Sequence, residues 1–195
     1  MSMKILPIND SSDKHFKKHK KLFDLPMRLL LIGKSQLSGK TSTLINLIAR
    51  EEMYKNYFDP ENIFIVSPSI KTEKFRKFVQ FMKIPHENLF PTYNENQLEV
   101  LYQTLKEEHE EEEKKEHKLI IFDDVAYTGK LSSAGKKDEN VLDKLFCNSR
   151  HQLISIIVIA QKYTQLSTCI RENCTGIIMW ECSNNQLEQL EAEHN

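Results

Sequence analysis

Four short apolar runs constrain most tightly what this chain can fold into. They are LLLI (29–32), IFIV (63–66), LIIF (119–122) and LISIIVIA (153–160). Ser155 is their only polar interruption. A strand with one wet face alternates apolar and polar residues, and these do not. They read as strands buried on both faces, which is the signature of a parallel sheet covered by helices. Met27 and Arg28 lead into the first run, and TGIIMW (175–180) reads as a last strand. LFPTY (89–93) reads as a short extra segment.

The intervening stretches carry helical spacing. Residues 41–50 place Leu44, Leu47 and Ile48 on one face, and 72–82 do the same with Phe75, Phe78, Val79 and Met82. A third helix runs from Asn96 through Leu98, Leu101 and Leu105 into the acidic run 107–113, which reads as its solvated end. Residues 140–148, a short piece through Leu166 and Ile170, and 185–192 complete the set. Strands alternating with helices predict an α/β fold with a mainly parallel sheet covered on both faces. At 195 residues this is one domain, divided here into a basic arm (1–26) and a sheet domain (27–195).

The first strand ends in Gly33, and Gly39-Lys40-Thr41 then opens the first helix. A phosphate-binding loop usually has four residues between its two glycines. Here there are five, and the first glycine slot falls on Lys34. The half of the motif that touches phosphate is intact. Gly39 lets backbone N–H groups approach an anion, Lys40 reaches the β/γ-phosphates, and the Thr41 hydroxyl is a Mg²⁺ ligand. Gly33, Ser38, Gly39, Lys40, Thr41 and Ser42 are therefore the expected ATP-binding residues, on a helix N-terminus that attracts anions.

Chemistry in open α/β sheets collects at the carboxyl ends of the strands. The run 119–122 ends in Asp123-Asp124, where Asp123 is the expected Mg²⁺ carboxylate and Asp124 the base for an attacking water. Gln161 ends the run 153–160 and has two readings, a γ-phosphate or water-positioning group or a strand-terminal amide. Arg150 either caps the preceding helix or acts across a subunit boundary as an arginine finger. Arg171 is the other candidate finger, and His151 reads as structural.

FCNSRH (146–151), the strand ending in Gln161, IREN (170–173), IFIVSP (63–68) and IIFDD (120–124) together resemble the viral genome-packaging ATPases of the FtsK–HerA superfamily. That group includes packaging ATPases of nucleocytoplasmic large DNA viruses and of tailless viruses with internal membranes. The resemblance spans residues 27–182. It implies a RecA-like ASCE P-loop fold and a homo-oligomeric ring, pentamer or hexamer, that threads double-stranded DNA into a capsid. Carried over by position, Lys40 and Thr41 are the Walker A pair, Asp123 the Walker B aspartate, Asp124 the catalytic acid, Gln161 the polar sensor and Arg150 the finger. The chain departs from the pattern in the long phosphate loop, and in Asp124 where Glu is commoner.

The leading expectation is a Mg²⁺-dependent ATPase that packages a viral genome, with capsid or capsid-vertex proteins as partners, in host cytoplasm or virion. A small-molecule kinase is the alternative, as is a related ATPase for DNA transfer or secretion. A net charge of −1 gives no global attraction to nucleic acid, so DNA contact falls to local patches. The arm, with its basic run 14–21, and the loop 125–139, with Lys130, Lys136 and Lys137, are the two candidates. The four cysteines lack zinc spacing and read as reduced thiols. No apolar run reaches membrane-spanning length, and the N-terminus does not read as a signal peptide.

Overall fold

The computed structural model describes residues 14–34, 38–124 and 140–194. The loop lysines Lys130, Lys136 and Lys137, and arm residues 1–13, lie outside the described residues. Six strands form one sheet: β1 (Arg28–Ile32), β2 (Ile63–Val66), β3 (Leu89–Phe90), β4 (Lys118–Asp123), β5 (Ile154–Ala160) and β6 (Gly176–Met179). All pairings are parallel, in the order β3-β2-β4-β5-β1-β6. The helices are α1 (Lys40–Ala49), α2 (Glu73–Met82), α3 (Glu95–Glu111), α4 (Val141–Asn148), α5 (Thr168–Glu172) and α6 (Asn184–His194).

Two-residue periodicity divides each strand between two cores. Leu30, Ile32, Ile120, Phe122, Ile156 and Val158 face α3, α4 and α5, meeting Leu98, Tyr102, Leu105, Leu142, Phe146 and Ile170. Leu29, Leu31, Leu119, Ile121, Ile157 and Ile159 face α1 and α2, meeting Leu44, Leu47, Ile48, Phe75, Phe78 and Met82. Both faces are apolar, which is why the runs carry no alternation. The sheet is the expected α/β parallel one.

Residues 14–26 lie against this body. Lys17 and Leu25 form an antiparallel bridge, Leu25 is buried, and the Tyr54 hydroxyl donates to Phe23 O at 2.8 Å. The Phe23 ring lies where a side chain on residue 176 would stand, with a Cβ placed 2.2 Å from it, so any residue larger than glycine there must displace the ring. The acidic end of α3 is less solvated than its sequence suggests. Lys118 is buried at the start of β4, and its ammonium bonds Glu112 at 2.7 Å and lies 3.8 Å from Glu108.

Candidate active site

Because all six strands run the same way, their carboxyl ends share one edge. Strand β5 lies between β1 and β4 in the sheet. The end of β5 therefore sits between the phosphate loop and the Asp123-Asp124 pair. That order assembles a cavity of about 530 Å³ lined by Ser38, Gly39, Lys40, Thr41, Ser42, Ser69, Lys74, Asp123, Asp124, Ile159 and Gln161.

Helix α1 supplies its floor. The helices α3, α4 and α5 begin on Asn94, Asn140 and Ser167, whose side chains accept a bond from the first turn. Helix α1 begins on Gly39, in the left-handed region at φ 80°, with no side-chain cap and no acidic residue in its first turn. Its first N–H groups and dipole are left for an anion. Lys40 is 8 % exposed, and its ammonium donates to Gly33 O at 2.5 Å, Lys34 O at 2.6 Å and Ser38 Oγ at 3.1 Å. Burial lowers its pKa, while the carboxylates of Asp124 and Asp123 oppose that shift. Gly33 is buried and does not line the cavity; its carbonyl holds the lysine.

Asp123 is the last residue of β4 and 3 % exposed. Its Oδ2 accepts from Ser67 Oγ at 2.8 Å. Burial raises its pKa and the nearby Asp124 adds to that, while the Ser67 bond and the Lys40 charge oppose it. Such a desolvated carboxylate gains from a divalent cation, and with the Thr41 hydroxyl it offers the hard oxygen donors that suit Mg²⁺. Asp124 follows at φ 54°, a conformation tolerated by Asp better than by most residues. This turn takes its carboxylate out of the β4 ladder to accept from Gln161 Nε2 at 3.1 Å. The Asp124 carboxylate and the strand-end amide are thus in contact.

Two lining residues, Ser69 and Lys74, and Ser67, which holds Asp123, escaped the sequence reading. Ser67 and Ser69 end β2, beside β4, and in sequence they look like a strand stop. Lys74, in the first turn of α2, places its ammonium 2.9 Å from Ser42 Oγ and brings a second cation to the cavity. No local sequence pattern marks them, since the adjacency of β2 to the strand that ends in Asp123 emerges only in the fold.

The two arginines lie elsewhere. Arg150 is in the turn before β5, so seven strand residues, about 20 Å, separate it from the edge that bears Gln161. Its guanidinium stacks over the Phe16 ring at 4.7 Å. Arg171 is buried, bonds Glu193 with Nε at 2.9 Å and with a second nitrogen at 2.8 Å, and donates to Leu166 O at 2.7 Å. Glu193 is raised by burial but held down at about 2 by bonds from Arg171, Tyr163 and Gln189. Among the described residues, no group of three or more His, Cys, Asp or Glu could hold a metal, and no helix is long and apolar enough to cross a membrane.

A parallel sheet in this order, with a phosphate loop leaving β1 and an acidic strand end two places away, defines a P-loop NTPase of the RecA-like ASCE class. Residues 13–195 match the family described as poxvirus A32 protein. The chain belongs to that family. No curated protein matches it significantly. Among solved structures, the genome packaging NTPase B204 from Sulfolobus turreted icosahedral virus 2, in complex with AMP, is 17 % identical, with a TM-score of 0.61 over 86 % of this chain and 82 % of that one. The DNA-packaging ATPase B204 from Sulfolobus turreted icosahedral virus is 16 % identical, with a TM-score of 0.55 over 87 % and 83 %. The cytoplasmic domain of EssC is 13 % identical, with a TM-score of 0.60 over 90 % of this chain and 37 % of that one. At these identities the likeness is one of fold. Family and fold together bear out the resemblance to viral packaging ATPases of the FtsK–HerA type.

Proposed function

We propose that this protein hydrolyses ATP to drive double-stranded DNA into a viral capsid, working as a homo-oligomeric ring in host cytoplasm or on the assembling virion. The observation that carries the reading is the contact of Asp124 with Gln161 in a cavity whose floor is Gly39, Lys40 and Thr41. The viral family and the packaging function of the B204 proteins support the DNA task. A carboxylate aligned by an amide suits a water nucleophile better than a hydroxyl acceptor, which weighs against a kinase.

In this reading the triphosphate displaces the carbonyl partners of Lys40 and rests on the N-terminus of α1. Lys40 neutralises the β/γ-phosphates from one side. Lys74 approaches from the other, near Ser42. Thr41 and Asp123 are the residues that would hold Mg²⁺, which when bound would neutralise charge on the transferring phosphoryl group. Asp124 orients a water and accepts its proton as the water oxygen bonds the γ-phosphorus and the bridging oxygen leaves with ADP. Gln161 fixes the Asp124 carboxylate and is placed to sense whether the γ-phosphate is present.

Arg150 lies far from its own cavity and is exposed, which suits a role in the cavity of a neighbouring subunit. Arg171 is committed within its own chain to Glu193 and suits that role less. Capsid proteins are the expected docking partners. The test is ATP turnover by purified protein with and without double-stranded DNA, beside Lys40→Ala. DNA-stimulated turnover that vanishes in the variant supports the motor. Turnover indifferent to DNA across protein concentrations contradicts it.

A further inference from the structure

Cys147 in the last turn of α4 and Cys169 in the first turn of α5 place their sulfurs 2.8 Å apart. Cys147 is exposed and Cys169 half-buried, so small reagents reach the pair. The Asn173 amide nitrogen lies 3.9 Å from one sulfur and 3.8 Å from the other. A cystine bond is about 2.05 Å long. The sulfurs need to close by less than an ångström to form one. The helices that carry them are already fastened, since Ser167 Oγ at the start of α5 donates to the buried Asp143 carboxylate of α4. The other two thiols have different surroundings. Cys174 donates to Arg171 O at 3.0 Å and is pushed up to about 11 by burial, and Cys182 lies against the Met179 sulfur at 3.2 Å.

We propose that Cys147 and Cys169 form a redox dithiol, oxidised to an internal disulfide by a small-molecule disulfide of the glutathione type. The Cys147 thiolate attacks oxidised glutathione, breaks its sulfur–sulfur bond and releases one glutathione thiolate. The Cys169 thiolate then attacks the Cys147 sulfur and releases the second glutathione. The two cysteine sulfurs are oxidised, glutathione disulfide is reduced to two glutathiones, and the two thiol protons pass to those products or to solvent. The new bond staples α4 to α5 and restrains the turn that holds Arg150, three residues beyond Cys147. The inference stands independently of the ATPase reading.

The test treats the folded full-length protein with oxidised glutathione, removes the excess, denatures, and caps the remaining thiols with N-ethylmaleimide for intact-mass and tryptic analysis. The expected result is capping of two thiols of the four, a mass lower by two hydrogens before capping, and a linked peptide pair. Arg150 and Lys162 lie between the two cysteines, so trypsin separates the pair into distinct peptides. Dithiothreitol restores all four thiols. Cys147→Ser removes the two-hydrogen loss, and Cys174→Ser leaves it unchanged. Four capped thiols, a glutathione adduct that persists on Cys147, or a bond between two chains overturns the proposal. The wild-type peptide map decides the matter even if a variant folds poorly.

Discussion

Lys40 and Lys74 approach the same cavity from α1 and α2, yet they differ in what holds them. Lys40 is buried among loop carbonyls, so its removal takes away a positioned, partly desolvated cation. Lys74 is exposed and, among the described residues, is tied to the Ser42 hydroxyl alone. Lys74→Ala is therefore expected to raise the KM for ATP by roughly 5–10-fold, the scale of one charge-assisted hydrogen bond, with kcat largely kept. Steady-state kinetics at saturating DNA reads the split. Ser67 acts differently, by giving the buried Asp123 carboxylate a donor. Ser67→Ala is expected to cost about 1–3 kcal/mol in urea unfolding, because a desolvated acceptor loses its partner. Lys40, Thr41, Asp123, Asp124 and Gln161 were legible in the sequence because each stands at a strand end or inside a local motif. Ser67 and Lys74 were not, because their relevance comes from the adjacency of β2 to β4, which no local pattern encodes.

At the scale of elements, the end of α3 shows how tertiary pairing overrides composition. The acidic run looked like a solvated helix end, but Lys118 enters it from β4 with its ammonium fully buried. Glu112→Ala would leave that charge short of its nearest partner and is expected to destabilise the fold by about 2–4 kcal/mol. Glu111→Ala, at an exposed position, is expected within about 0.5 kcal/mol of wild type by the same unfolding measurement. Helix and strand positions were largely legible, since apolar runs and helical spacing report burial directly. The boundaries moved where a backbone detail decided them. Strand β5 begins at Ile154 because Leu153 turns through φ 56°, and β4 extends to Asp123 because that residue still pairs with Ile159. The segment around 89–93 shrinks to two paired residues, Leu89 and Phe90.

At the scale of the whole molecule, His117 joins residues 14–26 to the sheet through Nε2, which donates to His15 O at 2.9 Å. Burial lowers its pKa to about 4, aided by the Lys17 and His15 charges and opposed by that carbonyl. The unfolded chain binds a proton near pH 6.5 that the folded chain refuses until about pH 4. Stability therefore falls as pH drops through this window, by on the order of 3 kcal/mol. His117→Gln is expected to flatten the profile there, as read by urea midpoints at stepped pH. The proposed ring makes a second prediction. Mixing Arg150→Ala with Lys40→Ala subunits should recover turnover above either variant alone, since each supplies the part the other lacks. Such fingers contribute about 10³–10⁵-fold in related enzymes. Central to the whole account is that the Asp124–Gln161 pair makes the cavity a hydrolytic site. The most direct test compares wild type with Asp124→Asn, measuring ATP binding and DNA-stimulated turnover in parallel. The account predicts binding within a few-fold and turnover down by about 10²-fold or more, the scale of a lost general base. Turnover that survives the substitution unchanged would contradict it.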